Sequence, residues 1–268
     1  MKKEYLLYKL YDHSKKRVHI NNELFEKYKV KRGLRNEDGT GVLVGLTNVG
    51  DVVGYEKNKK GEVYPIDGKL YYRGYDLKDI TKDILQSKRF GYEEVCYLLL
   101  SGKLPDMERL KSFKEIIKEN MYLDKKTIMH IIDLEGQNIM NILSRSVLEM
   151  YIHDPNPEDL SLENLMIQSI RLIAQIPAVI AYAYNMYHYS VFHKYLNIIL
   201  PKTKYSIAEN FLYMLKQDFT ELEARMLDLL LILHAEHGGG TNSTFTVRVT
   251  SSARTDTYSS ISAGIGSL

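Results

Sequence analysis

At 268 residues the chain has room for one large domain or two small ones. With 44% hydrophobic and 26% charged residues it has the composition of an ordinary globular protein. The single cysteine, Cys96, excludes an internal disulfide framework and points to a reducing compartment, and a net charge of +2 gives no reason to expect a nucleic-acid partner.

The start, MKKEYLLYKLYDHSKKR, is too broken by charge for a signal-peptide core. No apolar run approaches the roughly 18 residues of a membrane helix, so no membrane partner is expected and the cytoplasm is the expected address. Residues 1–35 hold eleven Lys and Arg against four Asp and Glu. That imbalance reads as a solvated, helix-bearing arm, or as a basic segment that meets the phosphates of a ligand.

In chain order, residues 3–12 and 21–30 read as short helices. The stretch GLRNEDGTGVLVGLTNVGDVVGYEKNKKGEVYPIDGKLYYRGYDL then alternates short apolar runs (VLVGL, DVVGY, KLYYRG) with turn formers, the pattern of small strands or hairpins. From Asp76 onward the text is helical. Leu77, Ile80, Ile84 and Leu85 share one face of DLKDITKDILQ. In GYEEVCYLLLSGKLPD, the residues Val95, Leu98 and Leu99 lead to a glycine stop at Gly102. Further helices are predicted over 106–120, 137–152 and 162–188, the last kinked or split at Pro177, and over SIAENFLYML. The predicted class is mainly α: a helical arm over 1–40, short strands or hairpins over 41–75, and a multi-helical large domain over 76–268.

The helix DFTELEARMLDLLLILHAEH carries the most informative text. Thr220 and Glu223 fit a capping box. Leu222, Met226, Leu229, Leu230 and Leu233 keep the 3.6 period, and Leu227, Leu231 and Ile232 make the other side apolar too. An all-round apolar helix is expected to be buried, delivering His234 and His237 to a break at Gly238-Gly239-Gly240. Four readings compete for this break. Two histidines at i, i+3 could begin a metal site, but zinc needs a third ligand and no other Cys/His cluster occurs, so no metal is expected. HGGG is also the string of some esterase oxyanion-hole loops, yet no GxSxG nucleophile turn is present. A histidine followed by glycine is an ordinary helix stop. Or a catalytic histidine sits at a helix end where glycines open space for substrate.

The stretch LHAEHGGGTNSTFTVRVTSSARTDTYSSISAGIGSL resembles the citrate synthase family, whose counterpart reads L-H-x-D-H-E-x-x-x-N-x-S-T and continues T-x-S-x-x-x-D-x-Y-x-x-x-x-A-A. GLRNEDGTGVLVGLT, YYRGYDLKDI, GYEEVCYLLLSGKLP, QNIMNILSRSVLEMYIHDPNPED and RLIAQIPAVIAYAYN resemble that family's text in the same order, over roughly residues 30–268. The resemblance implies an acyltransferase that condenses acetyl-CoA with oxaloacetate, with no cofactor beyond acetyl-CoA as substrate, and a homodimer. It makes His237 the catalytic histidine that hydrogen-bonds the thioester oxygen while the methyl group loses a proton. It gives His234 a structural role and brings Arg35, in GLRN, near the coenzyme A phosphates. Enolising a thioester needs a base at the methyl group and a donor at the carbonyl oxygen together.

The chain departs from the family in places. Position 236 is Glu where Asp is common, and 238 is Gly where Glu is common. YSIAENFLYML has no histidine where some members contact oxaloacetate. The family continues past the counterpart of Leu268 into G-P-x-H-G-G-A-N, which supplies the second histidine, and later into an aspartate base and carboxylate-binding arginines. The small-residue ending TDTYSSISAGIGSL looks cut. These 268 residues are therefore expected to be a large domain without its small domain, inactive alone. The alternatives are a non-catalytic homologue serving as a dimeric scaffold, or a parent of the 2-methylcitrate synthase type.

Overall fold

The computed structural model describes residues 21–29, 31, 33–35, 42, 45–134 and 136–268, in two compact units, Met1–Val44 and Gly45–Leu268. In the first unit, α1 spans Asn22–Lys27, inside the helix expected over 21–30, and the Val42 N–H donates to Leu34 O at 3.0 Å. The helix expected over 3–12 lies outside the described residues.

The second unit opens with a three-stranded antiparallel sheet: β1 (Gly50–Lys57), β2 (Val63–Tyr72) and the two-residue β3 (Tyr75–Asp76), in that order. Tyr72 pairs with Tyr75 across Arg73 and Gly74, whose φ values of +51° and +86° make a two-residue turn with both residues left-handed. Glycine is suited to such a turn; Arg73 is held in it. Its Nε and Nη2 donate to Leu99 O at 3.0 and 2.7 Å, and its Nη1 to Asn48 Oδ1 at 2.8 Å. Of the expected strand text VLVGL, Leu43 and Val44 lie outside the described residues, and Gly45 and Leu46 lie outside any strand.

The rest is helical: α2 (Leu77–Ser87), α3 (Tyr92–Ser101), α4 (Met107–Asn120), α5 (Lys125–Asp133), α6 (Ile139–Glu149) with a 3-10 turn over Met150–His153, α7 (Leu162–Phe192), α8 (Ile207–Lys216), α9 (Glu221–Leu233), α10 (Asn242–Ser252) and α11 (Thr257–Gly266). Asp76, Asp106, Asp124, Asn138, Ser161, Ser206, Thr220, Thr241 and Asp256 each accept a backbone N–H at a helix start. Gly102, at φ +85°, ends α3 as expected. The protein is mainly α with a small antiparallel sheet near the start of its second unit.

Three departures from the sequence reading have physical causes. First, α7 runs unbroken through Pro177 for 31 residues. By length and composition it would suffice to cross a membrane, contrary to the reading that no run approaches that length; Gln175 and Asn185 interrupt the apolar text and hide it. Buried Ala174, Ala178, Ala181, Tyr182 and Ala183 make it a central packing helix. Second, Leu85 is 58% exposed, although it was grouped with Leu77, Ile80 and Ile84, which are buried. Third, α9 is not buried all round. Ala224, Asp228 and Ile232 form its inner face, whereas Leu222, Met226, Leu230 and Leu233 are 68%, 56%, 49% and 41% exposed. A run apolar on every side carries no period that could pick the inner face.

The core has three parts. Tyr72, Leu77, Ile80, Ile84, Val95, Leu98 and Ile232 join β2, α2, α3 and α9. Cys96, Phe113, Ile117, Met121, Ala174 and Ile207 join α3, α4, α7 and α8. The largest runs from Ile131 and Ile142 through Tyr182 and Met214 to Tyr258. Asp154, after the 3-10 turn, accepts hydrogen bonds from Tyr258 Oη at 2.6 Å and Gln168 Nε2 at 3.0 Å, tying α7 to α11.

Candidate active site

The histidine loop joins the end of α9 to the start of α10, and β2 holds it. Tyr72 is fully buried, and its hydroxyl donates to Ile232 O at 2.8 Å, with Leu233 O at 3.3 Å. These carbonyls belong to the last turn of α9, which has no intrahelical donors left. The same hydroxyl accepts the Glu236 N–H at 3.3 Å. Burial pushes the Tyr72 phenol above its ordinary value, so it remains a donor.

His234 is the C-cap of α9, and its Nδ1 lies 2.7 Å from Leu230 O. An imidazole N–H there satisfies a terminal carbonyl, so His234 finishes the helix. Two residues later the Glu236 side chain folds back. Its Oε1 accepts the Gly238 N–H at 2.6 Å, and its Cγ lies against Gly50 at the start of β1. A side chain at Gly50 would have its Cβ 2.4 Å from that Cγ, so this contact needs glycine. Gly238 has φ +79°, which turns the chain sharply after His237.

His237 therefore stands between two pinned residues, with its own side chain exposed. The wall beside it comes from α10. The Arg248 guanidinium covers Gly45, where a Cβ would collide with Nη2, and reaches within 3.7 Å of the Cβ position of Gly239. Thr241 caps α10 and fixes the far end of the loop. Whereas the His234 ring, also exposed, is engaged with Leu230 O, the loop thus offers the exposed imidazole of His237 on a backbone braced from β1, β2 and α10. Such a group can donate a hydrogen bond to a substrate carbonyl oxygen. Among the described residues no group of three His, Cys, Asp or Glu side chains could hold a metal ion.

Behind the loop, α9 is anchored by Asp228. It is buried, and its carboxylate accepts the Gly91 N–H at 2.8 Å and the Tyr92 N–H at 3.1 Å, capping α3 where Gly91 has no side chain to do so. Burial pushes this carboxyl up to about 6, against the two backbone hydrogen bonds and with help from nearby Glu93.

The carboxy-terminal domain model of citrate synthase matches residues 38–268. The chain belongs to the citrate synthase family. It is 32% identical over 206 residues to citrate synthase 2 of Bacillus subtilis, covering 76% of this chain and 52% of that one. It is 33% identical over 214 residues to 2-methylcitrate synthase 1 of Corynebacterium glutamicum, covering 77% and 53%. The crystal structure of citrate synthase from Pyrobaculum aerophilum superposes with a TM-score of 0.70 at 27% identity, covering 89% of this chain and 57% of that one. The chain thus spans about half the length of the curated relatives it matches.

Of the residues singled out from the sequence, His234 and His237 lie on the braced loop of the second unit, and Arg35 is an exposed residue of the first. Sequence reasoning missed Tyr72, Asp228 and Arg248. Tyr72 was visible only as one aromatic in KLYYRG, and Asp228 only as a polar interruption in an apolar helix. That interruption was the one available signal, since a carboxylate on a buried helix face needs a partner.

Proposed function

We propose that this chain is part of an acyltransferase that condenses acetyl-CoA with oxaloacetate to give citrate and coenzyme A, and that His237 is its thioester-oxygen donor. In that step a base removes a methyl proton, the carbonyl oxygen takes up charge against His237, and the new carbon nucleophile attacks the oxaloacetate carbonyl. Water then cleaves the thioester and releases the thiol. The observation that carries the reading is the exposed His237 between Glu236 and Gly238, both pinned to a rigid frame. A donor fixed before reaction needs no reorganisation when charge develops. Arg35 is proposed to meet the coenzyme A phosphates. The acyl group is acetyl or propionyl, since relatives named for citrate and for 2-methylcitrate synthesis match at 32% and 33% identity.

These 268 residues hold His237 but no counterpart of the family's second histidine, aspartate base and carboxylate-binding arginines, so we expect no turnover from them alone. Mixed with acetyl-CoA and oxaloacetate, the chain should release no free thiol above background; release would overturn this. Reading the source gene past codon 268 tests the larger claim. A frame that continues into G-P-x-H-G-G-A-N supports a working synthase, and a stop codon removes the catalytic role of His237.

A second reading, a non-catalytic dimeric scaffold, is favoured by the exposed apolar stripe of Leu222, Met226 and Leu230 on α9. Both readings expect a homodimer. Sedimentation at micromolar concentration giving one protomer mass would count against it.

A further inference from the structure

Two buried carboxyls link three helices in series. Asp228, on the inner face of α9, is 2% exposed, and Glu93, in the first turn of α3, is 3% exposed. Asp228 accepts the Gly91 and Tyr92 N–H groups and so caps α3. Glu93 follows directly after those amides, and its Oε1 accepts the Ile207 N–H at the start of α8, at 2.8 Å. The contacts therefore run from α9, which carries the histidine loop at its C-terminal end, through the start of α3 to the start of α8. Each junction is made by a carboxyl, and neither carboxyl belongs to an ion pair among the described residues. Glu93 Oε2 has no hydrogen-bond partner among them either.

The groups around this joint leave it under-compensated. Burial is the largest influence on the Asp228 carboxyl and raises it; the Gly91 and Tyr92 N–H groups lower it, Glu93 raises it further, and Lys114 of α4 lowers it. Tyr92 and Cys96 are the other titratable groups beside it on α3. Neighbouring charges are engaged elsewhere: Arg89 with Glu94 and Asp83, Arg225 with Glu221, and Lys216 of α8 with Glu223. On α8, Glu209 accepts the Ser206 N–H and Tyr213 lies under Lys202. On α2, which also packs against α9, Lys78, Asp79, Lys82 and Asp83 are exposed. A carboxylate shut away from water without an ion-pair partner is costly. That cost is relieved by a proton or by opening the joint to water.

We propose that Asp228 and Glu93 form a proton-sensitive joint: with Asp228 protonated, α9 and the starts of α3 and α8 stay closed on one another, and with Asp228 ionised, the joint opens locally and admits water while the rest of the core stays folded. The closed carboxyl titrates near 6, and the opened one at its ordinary 3.8. Closure is therefore complete below the lower value and weakens as pH rises through the upper one. The helix so released is the one that ends in His234 and the histidine loop, so pH sets how firmly the base of that loop is held. The proposal does not rest on the condensation chemistry.

Amide hydrogen exchange on the full 268-residue chain reads the joint directly, because Gly91, Tyr92 and Ile207 donate the hydrogen bonds that break. These three amides should exchange together, at least about tenfold faster than those of Ile142 and Tyr182 in the largest core cluster. Base catalysis of exchange is common to the natural chain and Asp228→Asn, so the ratio of their rates at Ile207 isolates Asp228. That ratio should rise by at least about tenfold from about pH 4 to pH 7, the sense expected of a carboxyl raised by closure. If Asp228→Asn does not fold, the same rise is read in the natural chain after correction for the base catalysis of an unstructured peptide. Glu93→Gln keeps an oxygen for the Ile207 N–H and removes the neighbouring charge, and should move the midpoint of the rise to lower pH. A corrected rate or ratio that does not change with pH, exchange of the three amides no faster than that of Ile142 and Tyr182, or an unmoved midpoint in folded Glu93→Gln would each overturn it.

Discussion

At the scale of single residues, the histidine loop depends on groups far from it in sequence. Tyr72→Phe removes only a hydroxyl, yet that hydroxyl serves Ile232 O and the Glu236 N–H, 160 and 164 residues away. Leaving such groups unpaired costs about 1–3 kcal/mol, so the unfolding free energy should fall by that amount, read as a lower urea midpoint with the slope unchanged. Asp228 gives a pH dependence. Its folded carboxyl titrates near 6, above the ordinary value of 3.8. A group raised on folding contributes stability that is complete below its unfolded value and is lost as pH rises through its folded value. Stability of the natural chain should therefore decline between about pH 4 and 6 relative to Asp228→Asn, which does not titrate. Parallel denaturation curves across that interval would sink the assignment. These contacts were not legible beforehand, because they join residues more than a hundred positions apart and no local pattern announces them. Membership of the family was legible through the ordered resemblance of the text around His237.

At the scale of elements, what could be read were helices whose pattern had contrast. In α2, Leu77, Ile80 and Ile84 are buried with polar residues between them, and the capping box of Thr220 and Glu223 is present as expected. Short elements and weak helix formers escaped. α5 begins with two lysines and spans only nine residues. In α10, the sequence NSTFTVRVTSS is rich in residues with weak helix preference and buries no side chain fully. The inner face of α9 was misread because leucines stand on every side. The two faces should now separate cleanly. Ile232→Ala, in a fully buried position, should cost about 2–5 kcal/mol. Leu230→Gln, on the exposed stripe, should change the stability of the single protomer by no more than about 0.5 kcal/mol. Equal losses for both would mean that α9 is enclosed after all.

At the scale of the whole molecule, the chain is mainly α because one 31-residue helix, α7, packs against α4, α5, α6 and α8. Within the described residues of the second unit the sheet at its start departs from helix packing, and it is the sheet that holds the histidine loop. Cys96 lies where α3 meets α4, α7 and α8, and burial pushes its thiol up to about 12. It is also the only cysteine in the chain. A thiol reagent can react with it only when that junction parts, since the thiolate is the nucleophile and neither access nor ionisation exists in the closed form. Labelling of the native chain should be slower than labelling in denaturant by orders of magnitude, and should accelerate in Ile232→Ala only if that substitution loosens the junction as well as its own cluster. The protein thus carries a clock in its interior: one atom of sulfur whose rate of disappearance counts how often the core comes apart.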